Sequence, residues 1–100
     1  MSSLHELLKK TVEIEASDLH LSSGRSPAFR VPGGMQVDPS MRFRAADLLD
    51  FVEESVPHHL KGRFQRALEL DYSLQEEGVG RFRCNAFMTR NGPAMVFRHV

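Results

Sequence analysis

Gly80-Arg-Phe-Arg-Cys-Asn-Ala-Phe-Met-Thr89 and the stretch that soon follows it, Asn91-Gly92-Pro-Ala-Met-Val-Phe-Arg98, decide the fold. Both segments alternate apolar side chains with others, which is the period-two pattern of a half-buried β-strand. Asn91-Gly92 tolerates the positive φ angles of a tight reversal. The sequence therefore predicts a β-hairpin. Its first arm points inward at Phe82, Cys84, Ala86 and Met88.

Two arginines of this hairpin, Arg83 and Arg98, fall on its outward face. If Met88 faces Pro93, Arg83 lies directly opposite Arg98; with a two-residue Asn91-Gly92 loop, Arg98 faces Asn85 and lies diagonal to Arg83. Two like charges side by side in a sheet repel each other by roughly a few tenths of a kcal/mol. Either each arginine is solvated or bonded to a surface carboxylate, or the pair meets a phosphate or carboxylate, which the guanidinium fork fits. The hairpin alone leaves both alternatives open.

The rest of the chain places this hairpin in a mixed domain. The predicted elements are, in order, a helix to about Glu15, strands at 19–21, 28–31 and 35–37, a helix from Ala45 to just before Pro57, a third helix from Pro57, and a meander of strands from Leu70. This order implies an α+β fold, an antiparallel sheet of about six strands with about three helices packed mainly on one face. The other face of such a sheet can stay polar and meet a partner.

Length and composition restrict the class of protein. A chain of 100 residues forms one domain, and its formal net charge of zero indicates neither a nucleic-acid partner nor an anionic membrane surface. The single cysteine, Cys84, lies on the apolar side of its strand and suits a buried thiol in a reducing compartment. No apolar run approaches the roughly 18 to 20 residues that span a bilayer. We therefore expect a cytoplasmic protein that is not inserted into a membrane.

Several polar residues invite a chemical role, but none completes a site. Asp18 and His20 share a strand face without a third metal ligand, and adjacent histidines on a helix diverge. Nucleophilic catalysis requires a relay that the serine pair lacks. No metal site and no catalytic residue is predicted. The residues concerned are Asp18, His20, Ser22, Ser23, His58 and His59.

The chain contains no G-x-x-x-x-G-K-[ST] phosphate loop. The glycine-rich candidates, Gly33-Gly34 and Gly78-Val-Gly80, are not followed by the lysine and serine or threonine that hold a nucleotide and magnesium. We therefore predict that this chain alone is not an enzyme, binds no cofactor of its own and does not hydrolyse ATP.

Five short blocks, taken together, resemble a known family. In order and spacing they are similar to the N-terminal domain of PilT-type ATPases, the retraction motors of type IV pili and twitching motility within the secretion ATPase superfamily. The blocks are Ala16-Ser-Asp-Leu-His-Leu-Ser22, Pro27-Ala-Phe-Arg-Val31, Leu70-Asp-Tyr-Ser-Leu74, Gly80-Arg-Phe-Arg-Cys-Asn-Ala-Phe87 and Val96-Phe-Arg98. The resemblance implies that residues 1–100 are a single PAS-like domain, and that a C-terminal P-loop ATPase domain follows in a longer parent.

The resemblance also implies a function. The parent would be a homohexamer that uses ATP and magnesium, and this domain would pack over the ATPase domain of its own or a neighbouring subunit. The positions that match the family's phosphate-side arginines are Arg83 and Arg98, with Arg81 less securely placed. The full-length motor would act on the pilus platform protein of the inner membrane. It would thus be cytoplasmic and peripheral to that membrane through partners.

Two other functions remain as alternatives. A stand-alone PAS-like ligand-sensing or protein-interaction module requires an apolar cleft with inward polar groups, yet the predicted inward positions are nearly all apolar and needed for packing. A small enzyme would require a catalytic constellation, and the sequence contains none.

Overall fold

The computed structural model of the chain describes residues 3–100. Its elements, in chain order, are α1 (Ser3–Glu13), β1 (Asp18–Ser22), β2 (Ala28–Val31), β3 (Gly34–Val37), α2 (Ala45–Ser55), a 3₁₀ helix (His58–Leu60), α3 (Phe64–Ala67), β4 (Glu69–Glu76), β5 (Gly80–Thr89) and β6 (Gly92–His99). No helix within the described residues is long and apolar enough to cross a membrane.

The six strands form one sheet in the order β3-β2-β1-β6-β5-β4, and every neighbouring pair is antiparallel. The last strand, β6, lies in the middle of the sheet between β1 and β5. Helix α1 contacts β1, and helix α2 contacts both β1 and β6. The α+β architecture predicted from the alternation of helices and strands is therefore confirmed.

The core lies between the helices and one face of the sheet. Because successive strand residues point to opposite faces, the strands other than β3 contribute alternate side chains to this core. The amphipathic helices contribute their apolar stripes. Among the most deeply buried side chains are Leu4, Leu8, Leu19, Leu21, Phe29, Leu48, Val52, Phe64, Phe82, Met95 and Phe97. Within residues 3–100 no helix packs on the opposite face of the sheet, where Arg83 and Arg98 are exposed although Asp18 and Ala94 are buried.

The third helix is present, but it is shorter and begins later than the prediction of a helix from Pro57. The structure has a 3₁₀ helix at His58–Leu60 and a separate single turn, α3, at Phe64–Ala67. Between them Gly62 takes a φ of +79°, in the left-handed region that a helix cannot include. Phe64 is buried nonetheless, so the segment still covers the core beside β4.

Candidate functional site

The register of the β5–β6 hairpin brings Arg83 and Arg98 directly opposite each other. A two-residue loop, Arg90-Asn91, joins Thr89 to Gly92, and the register continues without a bulge to the arginines. Of the two registers that the sequence left open, the structure has the one in which the arginines face each other. Both side chains lie on the face of the sheet that carries no helix. Arg83 lies between the buried residues Phe82 and Cys84, and Arg98 follows the buried Phe97.

Arg98 is held by a buried carboxylate on the neighbouring strand. Asp18 pairs with Arg98 on one side and with Arg30 on the other. Nε of Arg98 donates to Oδ1 of Asp18 at 3.2 Å, and Nε of Arg30 lies 3.2 Å from Oδ2. The Asp18 side chain is only 6% exposed, so its charge depends on these partners and on a hydrogen bond from Ser17. The ion pair orients Arg98 while leaving 74% of its side chain exposed.

Arg83 differs from Arg98 in having no such partner. It lies between Ser73 and Arg98 in the sheet and is exposed. Within residues 3–100 its side chain forms neither a hydrogen bond nor an ion pair. A free guanidinium beside an oriented one is an arrangement that accepts an anionic oxygen group through two forks.

A cavity of about 220 Å³ adjoins the two arginines. Its wall includes Asn85 and Asp71, whose side chains hydrogen-bond each other at 3.0 Å. The Asp71 carboxylate partly offsets the positive charge on that side. An anion at this site would therefore approach from the side of Arg83 and Arg98 and not from that of β4.

Relatives among known proteins match most of the chain. The chain is 34% identical over 95 residues, or 95% of its length, to the type IV pilus retraction ATPase PilT of Pseudomonas aeruginosa. It is 36% identical over 75 residues, 75% of its length, to a twitching motility protein of Neisseria gonorrhoeae. A crystal structure of the pilus retraction motor PilT with bound ADP matches 100% of the chain with a TM-score of 0.86 and 28% identity. The chain is homologous to the N-terminal domain of PilT-type ATPases.

The likeness to PilT covers only part of these proteins. The chain spans 28% of the Pseudomonas PilT, 20% of the Neisseria protein and 29% of the PilT chain in the crystal structure. No protein-family profile matches it. The family and the fold predicted from the five sequence blocks are confirmed, whereas the roles of individual arginines remain predictions.

Arg81, the third arginine predicted for a PilT-type site, lies on the same face, two residues nearer the start of β5 than Arg83. It is paired in the sheet with Gln75, and its Nε lies 3.5 Å from the Gln75 side-chain oxygen. The backbone oxygen of Arg81 accepts a hydrogen bond from the Val100 amide. Arg83 and Arg98 line the cavity, whereas Arg81 does not. Of the three arginines, Arg81 is therefore the one that does not share this site.

Cys84 and Tyr72, on the buried side of the sheet, are chemically unreactive. Cys84 is buried as predicted, and burial raises the pKa of its thiol to about 12. Burial also raises the pKa of the neighbouring Tyr72, whose hydroxyl lies 2.7 Å from that of Ser55. Both groups are neutral at physiological pH, so neither supplies a nucleophile or a base.

Sequence reasoning missed Asp18 as a partner of the PilT-type arginines. It considered Asp18 only with His20, as a metal or acid-base pair, because the β1–β6 pairing joins residues 80 positions apart and has no local signal. In the strand Asp18-Leu-His-Leu-Ser22 the aspartate lies on the polar side with His20 and Ser22, so the alternation itself gave no sign that Asp18 is buried.

Proposed function

We propose that this chain is the regulatory and assembly domain of a longer pilus-retraction ATPase. In this proposal the helix-free face of the sheet packs on the ATPase domain of the same or a neighbouring subunit of a homohexamer, and Arg83 and Arg98 turn toward the nucleotide phosphates. The observation that carries the proposal is the Arg83–Arg98 pair on an open sheet face, with Arg83 free of any partner within residues 3–100. Homology to PilT supplies the context.

The geometry suits a switch that responds to phosphate. Repulsion between two facing guanidiniums is relieved when an anion lies between them, so the bound anion favours the closed arrangement of the two domains. Asp18 holds Arg98 through Nε, which reduces the side-chain freedom lost on binding. Loss of the terminal phosphate on hydrolysis weakens the attraction and releases the domain. Arg81 would contribute a more distant charge to the same face.

The remaining parts of the proposal belong to the longer parent. That protein would bind ATP and magnesium in a C-terminal P-loop domain, whereas this chain would neither hydrolyse ATP nor bind a cofactor. Through the assembled hexamer it would act on the inner-membrane platform protein of the pilus, from the cytoplasm. The domain itself would bind no nucleic acid and would not insert into a membrane.

Steady-state ATPase assays of the full-length parent test the role of the arginines. Arg83→Ala and Arg98→Ala should each lower turnover roughly tenfold or more, since a charge-assisted contact contributes about 1.5 to 3 kcal/mol. Lysine at either position should restore activity only in part, because it keeps the charge and loses the fork. Arg66→Ala, an exposed arginine on α3, is the matched control and should leave turnover unchanged.

Thermal melts of the 100-residue chain carrying the same substitutions separate function from stability. Unchanged turnover for Arg83→Ala, with the control also unchanged, would show that Arg83 is an ordinary surface residue. A loss of turnover that matches a loss of folding would also remove the phosphate-sensing role.

A further inference from the structure

A second basic surface lies at the other end of the sheet. Three arginines, Arg25, Arg42 and Arg44, line one cavity of about 610 Å³ together with Asn91 of the β5–β6 loop. This volume falls within the roughly 300 to 1,000 Å³ typical of small-molecule sites. Along β6, the six residue-to-residue steps from Gly92 to Arg98 span about 20 Å at the usual rise per residue. The cavity is therefore separate from the Arg83–Arg98 site, and we call it the basic cavity.

Backbone pairing brings these arginines together. Residues Arg25 and Phe43 form an isolated antiparallel bridge, in which the Gly24 amide donates to the Phe43 oxygen at 2.7 Å and the Phe43 amide donates to the Arg25 oxygen at 3.1 Å. Phe43 is buried, with its ring 5.3 Å from that of Phe51. Arg42 and Arg44 flank this anchored residue, so their backbone positions are set by the core although they lie outside helices and strands.

The floor of the basic cavity is closely packed. The buried hydroxyl of Ser23 donates to the Pro93 oxygen at 2.6 Å. A Cβ atom added at Gly92 would lie 2.7 Å from this hydroxyl and 2.8 Å from the Cβ of Ala45. The hairpin tip therefore lies against the β1–β2 turn and the start of α2 with no room for a side chain. Close packing of the floor fixes the backbone from which the arginine side chains extend.

The positive charge of the basic cavity is only partly balanced. Asp47 lies 3.7 Å from Nε of Arg44 and is the carboxylate paired with it. Within residues 3–100, the side chains of Arg25 and Arg42 form no ion pair and no hydrogen bond. Both also line an adjoining cavity of about 330 Å³ with His20, whose Nε2 is buried and has no hydrogen-bond partner in the described part of the chain. Positive side chains without nearby carboxylates in a concave surface strengthen the local electrostatic potential and attract anions.

We infer that the basic cavity binds a phosphate-bearing small molecule with at least two phosphate groups. A guanidinium group binds phosphate oxygens through paired hydrogen bonds. Three guanidinium groups provide more donors than a single phosphate group requires. No aromatic side chain lines the cavity, so recognition rests on the phosphates and not on stacking of a base. The inference is independent of the proposed role of Arg83 and Arg98, because it concerns other residues and needs no ATPase domain.

Titration of the ¹⁵N-labelled 100-residue chain with pyrophosphate at constant ionic strength tests the inference. Saturable shifts should appear at the amides of residues 23–25 and 42–45, and calorimetry should give the affinity. Arg42→Gln and Arg25→Gln should each weaken binding about tenfold, as expected for the loss of a charge-assisted contact. Arg66→Gln, outside the cavity, should bind pyrophosphate as the unaltered chain does.

Several outcomes would overturn the inference. Absence of saturable binding at millimolar pyrophosphate is one, and equal weakening by Arg66→Gln is another, because it would indicate nonspecific charge attraction. Vesicles of phosphatidylcholine with phosphatidylglycerol distinguish a lipid headgroup from a free ligand: binding to vesicles through Arg25 and Arg42, without pyrophosphate binding, would exclude the free ligand. Thermal melts confirm that each variant is folded, and two separate arginine variants keep the test valid if one of them is not.

Discussion

Asp18 on β1 lies beside Arg98 on β6, and its carboxylate holds the guanidinium through Nε at 3.2 Å. The same carboxylate lies 3.2 Å from Nε of Arg30 on β2. One buried negative charge thus bridges three neighbouring strands. Arg98 has a structural partner that Arg83 lacks, and the two arginines should differ in what their removal does to the fold.

Arg98→Ala should lower the free energy of unfolding by about 1 kcal/mol, because the ion pair is partly screened by solvent and Arg30 remains. Arg83→Ala should change it by less than about 0.5 kcal/mol. Urea denaturation of the two variants measures the difference. Asp18→Asn combined with Arg98→Ala should cost less than the sum of the single changes, since both remove one contact. Strict additivity would show that the contact does not contribute to stability.

The hydroxyl pair of Ser55 and Tyr72 should respond unequally to its two deletions. Tyr72→Phe leaves Ser55 bonded to the Phe51 oxygen at 2.8 Å, so we expect a loss of about 1 kcal/mol. Ser55→Ala leaves the buried Tyr72 hydroxyl without its partner, which should cost about 1 to 3 kcal/mol. Chemical denaturation at neutral pH tests the order. A greater loss for Tyr72→Phe would contradict it.

Stability should fall in alkali partly because of Cys84. Burial raises the pKa of its thiol from 9.0 to about 12 in the folded chain. Between these values the unfolded chain loses the proton and the folded chain keeps it, so the contribution is complete below pH 9 and is lost as pH rises toward 12. The stability of the unaltered chain relative to Cys84→Ala should therefore decrease above pH 9. Unfolding free energies measured from pH 8 upward check this, and a constant difference would refute it.

Gly92 and Gly24 provide a matched pair for the packing of the hairpin tip. Both have positive φ, +122° and +82°, so alanine strains the backbone at each position. Only at Gly92 would the new Cβ also collide with Ser23 and Ala45, while nothing lies within 4 Å at Gly24. Gly92→Ala should therefore cost about 1 to 3 kcal/mol more than Gly24→Ala in thermal or urea unfolding. Equal losses would mean that the tip can move away from the floor.

Local patterns explain which parts of the fold could be predicted from the sequence. The alternation along β5 and β6 placed Arg83 and Arg98 on one face because side-chain direction in a strand depends only on neighbouring residues. The choice between two registers was not local, since it depends on which residues form the loop. For α3, the apolar spacing of Phe64 and its neighbours suggested a longer helix, but the φ of Gly62 interrupts it.

The contacts made between distant segments could not be predicted. Asp18 reaches Arg98 only because β1 pairs with β6, and Arg25 approaches Arg42 only through the bridge to Phe43. Nothing in either short segment specifies its partner, because the pairing follows from how the whole sheet assembles around its core. Those two pairings determine the electrostatic surroundings of both candidate sites.

The central position of β6 has a consequence for how the domain is made. Strands β1 to β3 and β4 to β5 are two separate groups until β6 joins them, and its contacts with β1 connect residues about 80 positions apart. During synthesis the first group emerges from the ribosome with its apolar side and one strand edge uncovered, since the strand that completes it is the last of the six to be translated. Long-range pairings of this kind are slow to form, and uncovered edges attract other chains. The nascent domain therefore stays vulnerable to aggregation until Phe97 is free to enter the core.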